Sequence, residues 1–139
     1  MKTTLVPPEH AFDVWPEVRG YLEQAVDIAN GRWTMEHLLA VICNGRSQLW
    51  IAYDEDRIWG AVTTEITNYP GKKFLSMHFL GGLNFDLWYP DMLKNITNYA
   101  KQSGCQGIEG VARFGFWKFL KEDGFTKSSA FYEKGIEDE

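Results

Sequence analysis

The stretch that decides the fold runs from Phe74 to Gly124 and reads FLSMHFLGGLNFDLWYPDMLKNITNYAKQSGCQGIEGVARFGFWKFLKEDG. Its pattern predicts a strand, a double glycine, a helix, a second strand and a short helix, over Phe74–Leu80, Gly81-Gly82, Pro90–Ser103, Gly107–Ala112 and Phe116–Asp123. Two strands joined by a helical crossover pair in parallel, almost always with a right-handed crossover. In such a unit a phosphate-bearing ligand binds after the first strand, near the helix N-terminus. We therefore expect any small-molecule site there.

Composition sets the limits on the rest of the chain. Its 139 residues fit one domain, residues 1–139, and the 45% hydrophobic and 15% aromatic content is typical of a folded globular protein. A net charge of −5 with scattered Lys and Arg argues against nucleic-acid binding. There is no basic-apolar leader, and no apolar run approaches the ~18 residues of a membrane span. These features predict a cytoplasmic protein.

The cysteines and histidines show no metal-binding spacing. Cys43 and Cys105 lie far apart, without a CxxC pair or a neighbouring cluster of ligands. They are expected to be buried free thiols rather than a disulfide. HExxH is absent as well. The sequence therefore predicts no metal site.

The remaining elements complete a mixed sheet. The patterns predict an edge strand, two helices, two further strands and a last strand, over Met1–Val6, Glu9–Asn30, Met35–Cys43, Gln48–Tyr53, Ile58–Thr67 and Thr126–Glu133. Pro16 falls inside the first helical pattern; we expect it to mark the first turn, with Asp13 as N-cap. The prediction is an α/β (α+β) fold with a mostly antiparallel sheet of about six strands, flanked on both faces by about four helices.

Three local stretches resemble one family of enzymes. They are the paired strands Leu49–Tyr53 and Ile58–Glu65, the turn Phe79-Leu80-Gly81-Gly82, and the run from Phe116 to Phe125. Together with the order of elements they resemble the GNAT superfamily of acetyl-CoA-dependent N-acetyltransferases. More narrowly, the pattern from Gln48 to Trp117 resembles small GNAT-like proteins of tailed bacteriophages and prophages. The resemblance implies a GNAT-like domain and transfer of an acetyl group from acetyl-CoA to an amine.

The loop that binds pyrophosphate in that family departs from its usual pattern. The family motif is Arg/Gln-x-x-Gly-x-Gly/Ala, in which glycine lets backbone N–H groups close on the phosphates. With Gly81 as the first glycine, His78 and Leu83 occupy the other motif positions; with Gly82, Phe79 and Asn84 do. Neither register satisfies the motif. The two glycines have the alternative role of permitting a bulge that separates two strands.

The resemblance nevertheless places a coenzyme site on the central stretch. The residues expected to contact acetyl-CoA are Phe79, Leu80, Gly81, Gly82, Leu83, Arg113 and Trp117. Backbone donors around Phe79–Gly81 would polarise the thioester carbonyl, as this position does in the family.

Two side chains are candidates for removing a proton from the amine. Glu65 and His78 lie on strands that lead toward the predicted cleft. The alternatives are a solvated charge at a strand end for Glu65 and a hydrogen-bonded structural role for His78, which strand alternation places on one face with Phe74, Ser76 and Leu80. The Tyr that commonly serves as acid in the last helix of the family is replaced by Phe116 and Trp117. Tyr132 is the remaining candidate acid.

Two functional hypotheses follow. The first is an N-acetyltransferase that uses acetyl-CoA and an unknown amine. The second is a GNAT-fold phage protein without catalysis, which acts as a virion or interaction component with a phage or host protein partner. In the second case Trp88, Tyr89 and Trp117 would form an apolar surface. The location would be the host cytoplasm, or the virion for a structural component.

Overall fold

The computed structural model describes residues 1–29, 31–111 and 117–136, with the side chains of residues 117 and 118 left out. Its strands are β1 Lys2–Val6, β2 Ser47–Tyr53, β3 Ile58–Asn68, β4 Lys73–Gly82 and β5 Gly107–Gly110. Its helices are α1 Ala11–Ile28, α2 Met35–Cys43, α3 Phe85–Gln102 and α4 Trp117–Glu122, with a 3-10 turn at Pro8–His10 before α1.

The strands form one mixed sheet in the order β1-β2-β3-β4-β5. β1 to β4 are antiparallel neighbours, and β4 pairs with β5 in parallel through the α3 crossover. The predicted mostly antiparallel sheet and the parallel pair are therefore confirmed. Within the described ranges the sheet has five strands rather than six, because Thr126–Glu133 has no strand conformation. Its alternating sequence supplied the pattern of a strand but no partner strand.

Helices cover both faces of the sheet. α1 and α2 pack on one face around a core that includes Val18, Leu22 and Leu38. α3 packs on the other face around a second core that includes Trp88 and Met92. We refer to these as the α1/α2 face and the α3 face. Trp88 is 0% and Tyr89 4% exposed, so these two residues belong to the core and not to the apolar surface considered above.

Helix α1 begins earlier than its proline predicted. Pro16 is the sixth residue of the helix, and Asp13 is the third rather than the N-cap. The 3-10 turn at Pro8–His10 leads directly into α1, so the chain is already helical when it reaches Pro16. Pro16 has no N–H to donate to the carbonyl of Phe12. Because Phe12 is 71% exposed, water is able to hydrogen-bond to that carbonyl instead.

Helix α3 also begins earlier, at Phe85 instead of Pro90. The Trp88 indole N–H donates to the Leu83 carbonyl at 2.8 Å, and burial of the Trp88 ring fixes the first turn. Asp86 lies in that first turn, where the helix dipole favours a negative charge. Asp91, by contrast, lies mid-helix and accepts a 2.6 Å hydrogen bond from the Thr3 hydroxyl, which ties α3 to β1.

Two smaller features concern the ends of elements. The Thr34 side chain caps α2 by accepting from the His37 N–H at 3.1 Å. Both cysteines are free, but only Cys105 is partly buried, since Cys43 is exposed at the end of α2. The last strand of the central unit ends at Gly110, and Ala112 and Phe116 lie outside the described residues.

Candidate functional site

The parallel strands β4 and β5 separate halfway along β4. Their pairing runs from Phe74 opposite Gly107 to Met77 opposite Gly110. β4 then continues to Gly82, and no described residue pairs with this part of its edge. The result is an open backbone edge over residues 78–82, which leads to the start of α3.

A bulge in β4 lies at the point of separation. Thr63 of β3 faces Phe79 and Thr64 faces Met77, which leaves His78 as the extra residue. The Trp33 ring contacts both His78 and Phe79, with centroid separations of 5.7 and 5.5 Å, so both point to the α1/α2 face. The bulge lies at His78 and not at the double glycine, and the sequence pattern gave no sign of that position.

The same bulge changes the face of the sheet to which the Leu80 side chain points. Strand alternation predicted Phe74, Ser76, His78 and Leu80 on one face, and that prediction is wrong for Leu80. Leu80 packs into the core on the α3 face, because the extra residue shifts the alternation by one position.

The hydrogen-bond ladder shows which backbone groups face the open edge. The Leu83 N–H donates to the Trp59 carbonyl at 2.8 Å, so Gly82 and Gly60 form a non-hydrogen-bonded pair. Hydrogen-bonded and non-hydrogen-bonded pairs alternate along an antiparallel ladder, so Leu80, two residues before Gly82, also belongs to a non-hydrogen-bonded pair. Its N–H and C=O therefore point away from β3, toward the open edge. The Phe79 N–H is occupied by the Thr63 hydroxyl at 3.2 Å. The N–H groups of Leu80 and Gly82 are therefore directed to the open edge, and Leu80 is the one nearer to the bulge.

The connection from β4 to α3 is short. Only Leu83 and Asn84 lie between the two elements, and Asn84 adopts the left-handed conformation with φ of 57°. The N-terminus of an 18-residue helix follows directly, with its positive dipole end and unpaired N–H groups. The connection thus brings the end of β4 directly to a helix N-terminus, with the Asp86 carboxylate in the first helical turn beside it.

The double glycine has a packing role. A Cβ atom on Gly81 would lie 2.0 Å from the Tyr21 carbonyl oxygen, so α1 crosses directly over this residue. Gly82 has a φ of +149°, and a Cβ atom there would lie 2.5 Å from the backbone of Trp59 and Gly60. Both glycines are required by close backbone approach, which the sequence alone did not distinguish from a coenzyme role.

A chain of three polar side chains lies beside the bulge. The Arg46 Nε donates to Glu65 Oε1 at 2.7 Å, and Glu65 Oε2 lies 3.7 Å from His78 Nδ1. The side chains of Glu65 and His78 are 15% and 26% exposed, and Nδ1 has no hydrogen-bond partner among the described residues. The structure thus brings together the two candidate bases, and it adds Arg46, which the sequence pattern had not indicated.

The environment keeps His78 neutral. Burial lowers the pKa of His78 below its ordinary value of 6.5, whereas Glu65 and Glu109 raise it by smaller amounts and Arg46 lowers it slightly. Burial is the largest of these effects, so the imidazole is unprotonated near pH 7. A neutral imidazole with an unpaired nitrogen is able to accept a proton.

Tyr132 lies apart from this cluster. It is 88% exposed, in the extended segment that follows α4. The segment is held to the α1–α2 connection at Arg32, which lies over the Phe131 ring at 5.3 Å and pairs with Glu133. Trp117 is the first residue of α4, and Arg113 lies outside the described residues.

A buried tyrosine near α4 was not anticipated from the sequence. The Tyr89 hydroxyl is buried without a hydrogen-bond partner among the described residues. Burial and, to a smaller extent, Asp123 raise the pKa of Tyr89 to about 12, so it remains protonated at neutral pH. The Phe85 ring lies between this tyrosine and α4, stacked on Tyr89 at 4.5 Å and edge-on to Phe119 at 5.2 Å.

Two further kinds of site are not found in the described part of the chain. None of its groups of three or more His, Cys, Asp or Glu side chains is arranged to hold a metal ion. None of the helices described there is both long and apolar enough to cross a membrane.

Several solved structures with a similar fold carry the names of acetyltransferases. One is a ribosomal-protein-alanine N-acetyltransferase from Brucella melitensis biovar Abortus 2308, with a TM-score of 0.73 and 11% identity over 98% of this chain and 100% of that chain. A putative acetyl transferase from Pyrococcus furiosus has a TM-score of 0.71 and 18% identity, over 97% and 100% of the two chains. A predicted acetyltransferase from Clostridium acetobutylicum, solved with acetyl-CoA, has a TM-score of 0.69 and 13% identity over 96% and 95%.

These likenesses establish the fold. No family model matches the sequence, and no curated protein does. The identities are low, but the matches extend over nearly the whole of each chain. The chain therefore has the GNAT acetyltransferase fold, as its element order predicted.

Proposed function

We propose that this chain is a single GNAT-like domain that transfers an acetyl group from acetyl-CoA to an amine. The observation that carries the proposal is the position of His78, with Nδ1 3.7 Å from Glu65 Oε2, at the point where β4 leaves β5. Acetyl transfer to an amine uses a base for the amine proton and a hydrogen-bond donor for the carbonyl oxygen, and His78 and the free backbone N–H groups of β4 are able to supply them. The shared fold of the solved acetyltransferases supports the same conclusion.

The open edge of β4 fits an extended thioester arm. The Leu80 N–H and C=O point to this edge, and the start of α3 lies at its far end. We assign coenzyme contacts to Phe79, Leu80, Gly81, Gly82 and Leu83 from the described chain, and we extend them to Arg113 and Trp117. The pyrophosphate would lie at the first N–H groups of α3, away from the Asp86 carboxylate.

Each residue of the cluster has one task in this proposal. The Leu80 N–H donates to the oxygen that gains negative charge when the amine adds to the carbonyl carbon. His78 takes the proton from the acceptor ammonium on Nε2, its accessible ring nitrogen, and Glu65, 3.7 Å from the buried Nδ1, stabilises the imidazolium that results. Arg46 holds the Glu65 carboxylate in the orientation that faces His78. Acetyl-CoA supplies an activated acetyl group, and the coenzyme leaves as its thiol.

Tyr132 is proposed as the proton donor to that thiol. It lies on the segment anchored at Arg32, and Arg32 adjoins Trp33, which contacts His78. Tyr89 is a poorer donor because its pKa of about 12 lies well above that of a thiol. Replacing Tyr132 with Phe should lower kcat with little change in the KM for acetyl-CoA, and a KM effect alone would remove it from this role.

The proposal is tested by release of thiol from acetyl-CoA in the presence of simple amines, with acetylation of the amine followed by mass spectrometry. The His78→Gln variant should lose about 100-fold or more in kcat/KM. His37→Gln is the matched control, because His37 packs on the same Trp33 ring, at 5.1 Å, without contacting Glu65. Equal activity in the two variants would exclude His78 as the base.

The alternative of a phage virion or interaction component has less support. It depended on an exposed aromatic surface, and two of the three residues named for that surface, Trp88 and Tyr89, are buried. The resemblance to phage and prophage proteins bears on where the transferase occurs, in the host cytoplasm or with the virion. We retain the transferase as the function.

A further inference from the structure

A row of four polar residues crosses the sheet next to the proposed base. Ser47 of β2 faces Glu65 of β3, Glu65 faces Ser76 of β4, and Ser76 faces Glu109 of β5. Residues directly opposite each other on neighbouring strands point to the same face of a sheet. We call Ser47, Glu65, Ser76 and Glu109 the polar row.

The row lies on the α1/α2 face. The neighbours of its members along β3, β4 and β5 pack instead into the core on the α3 face; they are Ile66, Leu75 and Ile108. His78 lies on the same face as the row, with Nδ1 3.7 Å from Glu65. The row therefore begins where the acceptor amine would lose its proton.

The two carboxylates of the row differ in their partners. Glu65 is neutralised by Arg46 at 2.7 Å. Glu109 accepts a 2.9 Å hydrogen bond from the Tyr69 hydroxyl, and it forms no ion pair with any described cation. The Tyr69 ring in turn packs edge-on against Phe74 at 6.2 Å, which places aromatic surface beside the unpaired charge. A partly buried carboxylate beside aromatic rings favours a bound cation.

Two polar atoms along the row lack partners. Ser47 is 2% exposed, and its hydroxyl has no hydrogen-bond partner among the described residues. His78 Nδ1 is unpaired in the same way. Both flank Glu65, Ser47 from β2 and His78 from β4. Buried polar groups are usually paired, so these two atoms indicate that a polar ligand completes this face of the sheet.

We infer that the acceptor is an amine with a second positive charge, which Glu109 and Tyr69 bind while the reacting amine lies at Glu65 and His78. This inference rests on the proposed function. Glu65 and Glu109 are two strand spacings apart, roughly 10 Å between backbones, which suits the two ends of a short linear diamine. The unpaired Glu109 is thereby a specificity-determining residue.

The experiment compares two amines of equal chain length, the diamine cadaverine and the monoamine n-pentylamine. Wild-type protein should acetylate cadaverine with a kcat/KM at least about 10-fold above that for n-pentylamine, since a hydrogen bond to a charged group discriminates by that amount. Glu109→Gln should abolish the preference through the KM for cadaverine. Glu55→Gln, the same change on the exposed β2–β3 turn, should keep it.

A second variant distinguishes a specific effect from misfolding. A second measurement, which does not depend on acetyl transfer, tests amine binding directly. Tyr69→Phe keeps the ring but removes the hydrogen bond to Glu109, and it should weaken the preference in part. Cadaverine added to the protein without acetyl-CoA should shift the amide NMR signals of Ser76 and Glu109, and n-pentylamine should not.

The outcomes separate the two claims. Equal kcat/KM values for the two amines with wild-type protein would contradict the inference that the acceptor carries a second positive charge. They would not contradict the proposed acetyltransferase activity. Cadaverine binding without acetylation of any amine would support the polar row as a diamine-binding site and would contradict the proposed acetyltransferase activity. Absence of shifts with cadaverine at millimolar concentration would overturn the inference directly.

Discussion

His78 shows how one residue acquires its chemistry from backbone geometry. The His78 ring lies on the α1/α2 face, beside Glu65 and Trp33, and the bulge brings Phe79 to the same face. Without the bulge, His78 would lie on this face as well, but Phe79 would point to the α3 face and Leu80 to the α1/α2 face. The type of residue was visible in the sequence, but its position between Glu65 and the open edge of β4 was not, because a bulge depends on the pairing of two strands.

The lowered pKa of His78 predicts a pH dependence of stability. The unfolded chain binds this proton more tightly than the folded one, so the contribution to stability is complete above the unfolded pKa of 6.5 and declines as the pH falls below it. Urea unfolding at about pH 8 and about pH 5.5 should show a smaller loss of stability for His78→Gln than for the wild type. His10→Gln, at an exposed site, serves as the control. An equal loss in His78→Gln and wild type would contradict the burial of a neutral imidazole.

Gly81 provides a second test at the level of single residues. A methyl group there meets the Tyr21 carbonyl at 2.0 Å, so Gly81→Ala should lower the free energy of unfolding by about 2 kcal/mol or more. Gly20→Ala is the matched control, because Gly20 lies within α1 with open space around it and should stabilise by about 1 kcal/mol. Equal thermal shifts in the two variants would mean that α1 does not cross Gly81 this closely.

At the level of the elements, prediction and structure differ in two respects. Helices α1 and α3 begin earlier than their prolines indicated, and the predicted last strand is not formed. The strands of the meander and the parallel pair were predictable because alternation and turn residues are local signals. The starts of α1 and α3 were not, because burial of Trp15 and Trp88 holds a turn of helix ahead of each proline. Thr126–Glu133 alternates like a strand, yet strand formation also needs pairing with a partner strand, and no described residue pairs with the edge over residues 78–82.

Pro16 gives the prediction at this scale. It interrupts the hydrogen bonding of α1 at an exposed position, where its ring makes no core contact. Pro16→Ala should therefore raise the free energy of unfolding by about 2 kcal/mol. Pro8→Ala, at the first position of the 3-10 turn, should change it by less than about 1 kcal/mol. Destabilisation by Pro16→Ala in urea unfolding would show that the proline fixes the start of the helix.

Across the whole molecule, the site is assembled by the sheet and not by any one motif. Glu65, His78 and Glu109 come from three adjacent strands, and Arg46 comes from the turn before β2. The sequence indicated the region where β4 and β5 separate, because the order of elements was recognisable. It did not identify Arg46 or Glu109 as members, because contacts across the sheet depend on register.

The most direct test of the account is calorimetric titration of the folded protein with acetyl-CoA, with ATP as the control ligand. The account predicts saturable binding of acetyl-CoA to one site, since the open edge of β4 and the start of α3 are both available, and little binding of ATP, which lacks the thioester arm. Absence of acetyl-CoA binding at millimolar concentration, in a sample shown to be folded, would contradict the assignment as an acetyltransferase.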